Sequence, residues 1–302
     1  MEFMKRTEPV SDFGRYEGYS KPEYEGLNVK SLHITMRDGI KIAVDVVLPK
    51  NLPSDAKIPT LILQTRYWRA NEFRILFRWL QKPSRFLLFF TSYGYAIVLA
   101  DVRGTGASYG TWPYPWSRDE IMDGGEIVNW IVSQPWSNGK VASIGVSYEG
   151  ATAELLAVNK HPAVKAVVPQ FSQFDLYTDI PFPGGIFNQV FVKQWGHMDR
   201  LMDLNNAREM MAHLIRIYDE RQASLSKMDL PKGFHVSKSM RALKMGRLAV
   251  KGAKPVDSDK NHHSLNEAVQ AHSNNGDVYG LAEKLHHATR KHPDRVSRTE
   301  HP

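Results

Sequence analysis

Lys140-Val-Ala-Ser-Ile-Gly-Val-Ser-Tyr-Glu-Gly150, running on into Ala151-Thr-Ala-Glu-Leu-Leu-Ala157, is the stretch that decides the architecture. Asn138-Gly139 reads as a turn, 140–144 as a short buried strand, Gly145-Val-Ser-Tyr-Glu-Gly150 as a second turn, and the residues after it as a helix. Ser147 therefore sits at a strand-to-helix elbow. A serine on such a turn is held in a strained backbone conformation with its hydroxyl above the sheet, and small neighbours let strand and helix come close. Tyr148 opens the helix, so its N–H has no intrahelical acceptor and is free for a developing oxyanion. The usual G-x-S-x-G form is altered in one place: Glu149 stands two residues after Ser147, and the glycine comes at Gly150.

Upstream, 29–36 and 40–48 read as two strands joined by Arg37-Asp-Gly39, a hairpin. The apolar runs 59–65 and 95–100 suit central parallel strands. Between them, 72–92 is apolar and aromatic at helical spacing, with Phe86-Leu-Leu-Phe-Phe90 as a buried helix turn. Ser117 caps 118–133, whose apolar face is Ile121, Ile127, Val128, Ile131 and Val132. One more strand comes at 164–168. This alternation implies an α/β fold, a mostly parallel sheet with helices on both faces.

In such sheets the chemistry lies beyond the carboxyl ends of the strands. Two loops qualify, Gln64-Thr-Arg-Tyr-Trp68 and Asp101-Val-Arg-Gly-Thr-Gly-Ala-Ser108. Tyr67 reads either as an aromatic plug under its loop or as a phenol donating to an oxyanion. The second loop lacks the third glycine and the distant acid of a dinucleotide site, and reads as a tight turn pinned by an Asp101–Arg103 network.

Arg37-Asp-Gly39, Tyr67, Asp101-Val-Arg-Gly-Thr-Gly-Ala-Ser108, Trp130-Ile with Gln134-Pro-Trp136, and Gly145-Val-Ser-Tyr-Glu-Gly150 together resemble the X-Pro dipeptidyl-peptidase and cocaine-esterase group of α/β-hydrolases. The resemblance covers 32–169, with weaker echoes as far as Tyr279. It implies an α/β-hydrolase core with an inserted helical cap, and two-step acyl transfer. Carried over, Ser147 is the nucleophile, Tyr67 the oxyanion hydroxyl and Tyr148 the oxyanion backbone N–H. The implied substrate is a small-molecule ester, an amide or a short peptide. The cap shows no acidic pair to grip a free amino terminus, so an esterase or acylase is the expectation, with neither cofactor nor metal.

The expected organisation is an irregular arm at 1–28, the hydrolase core at 29–170, a helical cap at 171–250, and a linker, short helix and polar His-rich tail at 251–302. Within the cap, 181–196 is aromatic and Gly-rich, and 199–225 carries Leu201, Leu204, Met211, Leu214 and Ile217 at helical spacing. Residues 248–257 read as linker and 264–272 as the short helix. No strand is expected after 170, and 285–302 reads as disordered. The triad acid and histidine have no assigned residue. His262, His263, His272, His286, His287, His292 and His301 read as exposed tail side chains, and His161 and His197 as loop or packing residues. The expectation is a chain truncated after its cap, lacking the last core strands and a C-terminal β-sandwich. A catalytically incomplete fragment is the alternative to an active enzyme.

Composition narrows the remaining classes. The net charge of +7 is spread among acidic residues with no finger spacing or aromatic-interleaved basic stripe, so nucleic acid is not an expected partner. No apolar run reaches the roughly 18 residues of a membrane span, and no membrane partner is expected. The polar first residues suggest the cytoplasm. The absence of cysteine excludes disulfides and thiol catalysis. Phe182, Phe187, Phe191 and Trp195 could line a pocket or the interface of a homo-oligomer.

Overall fold

The computed structural model describes residues 21–225 and 237–291. The expected hairpin forms from β1 (Leu27–Thr35) and β2 (Lys41–Pro49), paired antiparallel with Ile34 opposite Ile42. Its turn needs Gly39, where φ is +82°. Next come β3 (Ile58–Thr65), β4 (Asn71–Phe73), a 3-10 turn (Ile75–Leu80), α1 (Arg85–Ser92) and β5 (Ala96–Asp101). After them stand α2 (Arg118–Val132), β6 (Ser137–Val146), α3 (Tyr148–Leu155) and β7 (Val164–Gln170). Six of these strands make one sheet in the order β1-β2-β5-β3-β6-β7. The pairs β3–β5, β3–β6 and β6–β7 are parallel, and β2 joins β5 antiparallel.

Alternation along β2 assigns its two faces. Ile42, Val44 and Val46 pack with Ile62, Val98 and Ala100 against Ile127, Val128 and Ile131 of α2. Ser117 caps that helix by accepting from the Glu120 N–H. Each such fully buried aliphatic side chain contributes about 1.5–3 kcal/mol. Ala43 faces the other way, into a cluster with Trp68, Met202, Met210, Val250 and Leu265. Most of that second cluster comes from the part of the chain beyond β7, which forms α4 (Leu176–Asp179), α5 (Gln189–Asp203), α6 (Ala207–Leu225), α7 (Ser237–Ala249), β8 (Val250–Ala253), α8 (His263–His272) and α9 (Val278–Lys291).

Several expectations change. Residues 72–92 are not one helix, because Pro83 cannot continue one. The segment is instead β4, the 3-10 turn and α1, and Leu88 and Phe89 of α1 face solvent. β6 includes Asn138 and Gly139, where Asn138 Oδ1 accepts from the Lys140 N–H (3.0 Å) and the register with β3 shifts. The stretch read as a linker contains β8, which pairs with β4 antiparallel, Asn71 opposite Ala253. The helical pattern at 199–225 breaks at Asn205 (φ +53°), whose side chain accepts from the Ala253 N–H (2.8 Å). Against the expected disorder from 285 onward, α9 runs through to Lys291. The remainder of that tail, 292–302, and 1–20 of the arm lie outside the described residues.

Candidate active site

At the end of β6 the chain turns sharply into α3, and Ser147 occupies the turn at φ +61°, ψ −122°. That conformation is costly for any residue with a Cβ, of order 1–3 kcal/mol, and persists only where neighbours enforce it. Here they do. The Ser147 N–H donates to the Gln170 carbonyl of β7 (2.9 Å), and its own carbonyl accepts from the Ala151 N–H (3.0 Å). A Cβ on Gly145 would lie 2.2 Å from the Glu149 carbonyl oxygen, and one on Gly150 would lie 2.5 Å from that of Gln170. Thr152 Oγ1 ties α3 to the end of β3 by donating to the Gln64 carbonyl (2.9 Å).

Tyr67 lies three residues beyond Gln64. Its hydroxyl accepts from the Trp195 indole N–H of α5 (3.0 Å), and its ring meets Tyr148 edge-on at 5.8 Å. Burial pushes the phenol up to about 12, so it keeps its proton across the physiological range and has an O–H to donate. That ring contact sets Tyr67 against Tyr148, the residue that follows Ser147. The Ser147 hydroxyl makes no hydrogen bond among the described residues.

A support not foreseen from sequence holds Tyr148. Its fully buried hydroxyl donates to Glu120 Oε1 (2.6 Å) and accepts from the Trp112 indole (3.1 Å). Trp116 stacks on its ring at 4.6 Å and donates its indole N–H to the Tyr148 carbonyl (3.2 Å). Burial pushes Glu120 up to about 7, although three donors point at it. By linkage, a carboxyl raised above its unfolded value contributes stability that is complete below about 4.5 and lost as pH rises through about 7. The swing is about 3 kcal/mol. Urea midpoints measured from pH 4.5 to 8 should therefore fall less steeply in Glu120→Gln than in the wild type. The only signal for this support in the sequence is the aromatic run Trp112-Pro-Tyr-Pro-Trp116.

The expected Asp101–Arg103 network is replaced by two separate ones. Asp101, fully buried, accepts from the Arg69 guanidinium (2.7 Å) and from the Arg69 and Ala107 backbone N–H groups. Arg103 turns away to Asp123 (2.7 Å) and Asp38 (2.9 Å). Gly106 is required because a Cβ there would strike the Asp101 carboxylate. Arg66, beside Tyr67, is fully buried, pairs with Asp199 and Asp203 of α5, and lies 4.5 Å from the centre of the Trp112 ring.

The histidines also differ from expectation. His272 is fully buried, with Nε2 2.7 Å from the Ser108 carbonyl oxygen, and burial lowers its pKa. His262 bonds Glu72 (2.7 Å), and the His286 ring stacks on Phe182 and Phe187. Only His263 of the described tail histidines is exposed. The side chains of His287, His292 and His301 lie outside the described residues. His161 is a loop residue bonded to Asn129 (2.9 Å), and His197 packs on His213. Of the cap aromatics, Phe182 is a core residue, whereas Phe191 stays half exposed against Trp195. No group of three metal-ligating side chains occurs among the described residues.

A mostly parallel sheet with a serine on the turn between an interior strand and its helix defines an α/β-hydrolase. Residues 38–276 match the X-Pro dipeptidyl-peptidase (S15) family, and the chain belongs to that family. A Mycobacterium bovis protein named as a serine esterase is 40% identical over an alignment of 273 residues that covers 87% of this chain and 38% of that protein. Cocaine esterase of a Rhodococcus species is 34% identical over 163 residues, 54% of this chain and 27% of the esterase. A CocE/NonD family hydrolase from Staphylococcus aureus superposes with a TM-score of 0.49 at 26% identity, over 59% of this chain and 37% of the hydrolase. The chain thus spans well under half the length of these relatives.

Proposed function

We propose that the chain is a serine hydrolase of ester or amide bonds acting through an acyl-enzyme on Ser147. Ser147 Oγ attacks the carbonyl carbon, the C–O or C–N bond breaks, and the leaving group departs with a proton. Water then attacks the acyl-enzyme and frees the acid and the serine. The Tyr67 hydroxyl and the Tyr148 N–H hold the negative charge on the carbonyl oxygen in both steps. The observation that carries this reading is the elbow, a strained Ser147 held between two glycines that leave no room for a side chain. The general base and its acid have no assigned residue, since no described histidine bonds Ser147. We read 171–250 as a cap over the site and its substrate as a small-molecule ester first, then an amide or short peptide. The esterase-named relative, matched over most of this chain, supports that order.

The test uses the whole 302-residue chain. A fluorophosphonate probe should label it, p-nitrophenyl acetate should be hydrolysed, and Ser147→Ala should abolish both. Tyr67→Phe should lower kcat by roughly a hundredfold or more, about 3 kcal/mol of transition-state stabilisation, with KM little changed. A wild-type chain that neither takes the label nor turns over ester would instead be a catalytically incomplete fragment.

A further inference from the structure

On another part of the surface, the chain from Arg74 to Ala100 contains no acidic residue while carrying Arg74, Arg78, Lys82 and Arg85. The 3-10 turn within it exposes three large apolar side chains, with Ile75, Leu76 and Trp79 each about three-quarters in solvent. Helix α7 packs beside this turn, joined by the Arg74 N–H donating to the Ala249 carbonyl (2.9 Å), and adds exposed Met245 and Leu248. Beside the turn, α6, α7 and Arg74 border a cavity of about 580 Å³ lined by Arg74, Arg208, Lys244 and Arg247 over Ile215 and Leu248. None of these four cations is ion-paired among the described residues.

Two costs meet on this face: apolar surface left in water, and like charges converging without a counter-charge. A small anion would relieve only the second. A protein partner would bury the apolar side chains, but the cores of protein interfaces are depleted of charged residues, and this face gathers four cations around its cavity. An anionic bilayer answers both, since Trp and Leu enter the boundary between headgroups and acyl chains while Arg and Lys meet the phosphates. We propose that this face docks on the surface of an anionic lipid bilayer. No helix among the described residues is long and apolar enough to cross a membrane, and docking on a surface requires none. The expectation of no membrane partner rested on the missing span alone. The inference is independent of the hydrolase reading, because its readout is binding.

The experiment is co-sedimentation of the full chain with phosphatidylcholine vesicles, with and without about a third phosphatidylglycerol, at low and high salt. The expected result is binding to the anionic vesicles only, with release at high salt. Leu76→Ser combined with Trp79→Ser alters only exposed side chains and should abolish the binding while the melting temperature holds. Arg74→Gln with Arg247→Gln should weaken it roughly fivefold per cation removed. Equal binding to neutral vesicles, or undiminished binding by the Leu76→Ser, Trp79→Ser protein, would overturn the proposal. So would full displacement by millimolar glycerol phosphate, which would mark a site for a free anion. A wild-type dimer that this double variant turns into a monomer would identify a second copy of the chain as the occupant, with the same consequence.

Discussion

Arg66→Met is expected to destabilise the protein by about 3–5 kcal/mol, the range for removing one partner of a buried ion pair. Arg66 is completely enclosed, and its guanidinium is the cation that faces both Asp199 and Asp203. Methionine preserves much of the volume over Trp112 but leaves two carboxylates in a space closed to water. Burial already pushes Asp199 up to about 7, and without the arginine it rises further. The loss should therefore be larger at pH 8 than at pH 5, where the carboxyls take up protons. Replacing all three charges, Arg66→Met with Asp199→Leu and Asp203→Leu, should recover much of the stability, because no unpaired charge remains. Urea denaturation of the three proteins at both pH values decides it. A single variant as stable as the wild type would show that the pair contributes little.

Gly145→Ala is expected to cost about 3 kcal/mol or more, and to abolish labelling of Ser147 along with it. The added methyl would overlap the Glu149 carbonyl, which belongs to the backbone of α3 and has no rotamer to escape into. The helix would have to back away from β6, taking the Tyr148 N–H with it. A control lies on the same strand. Gly139 has nothing within 4 Å of its would-be Cβ and owes its identity to φ +75° alone, so Gly139→Ala should cost only about 1 kcal/mol. Thermal melts of both variants, with probe labelling beside them, separate the crowding at the elbow from a general intolerance of β6.

The parts of this molecule legible from sequence are those whose causes are local. The hairpin, the Ser117 cap and the turn around Ser147 each depend on residues within a few positions of one another. The features that escaped the sequence depend on partners far along the chain. Asp101 and Arg103 are both charged and two residues apart, yet each is held by a different element, Arg69 in one case and Asp123 with Asp38 in the other. β8 is four residues long, and it is a strand because β4, nearly 180 residues earlier, lies beside it. His272 sits in a polar segment that reads as tail, and only the folding of α8 against the Ser108 loop encloses it. Glu120 shows the same limit. On the helix it is one more acid in a first turn, and its role becomes visible when Trp112, Trp116 and Tyr148 converge on it.

The strand order also has a consequence for synthesis on the ribosome. β3 lies between β5 and β6, so both of its neighbours emerge after it, the second not complete until Val146. Until then a nascent chain holds the apolar segment Thr60-Leu-Ile-Leu63 with at least one flank lacking its partner, while β1 and β2 can pair at once. Parallel pairing over such separations is slow, and unpaired apolar strands are the surfaces on which nascent chains associate. The interval between the appearance of Thr65 and that of Val146 is therefore when β3 on the nascent chain is open to association with other chains.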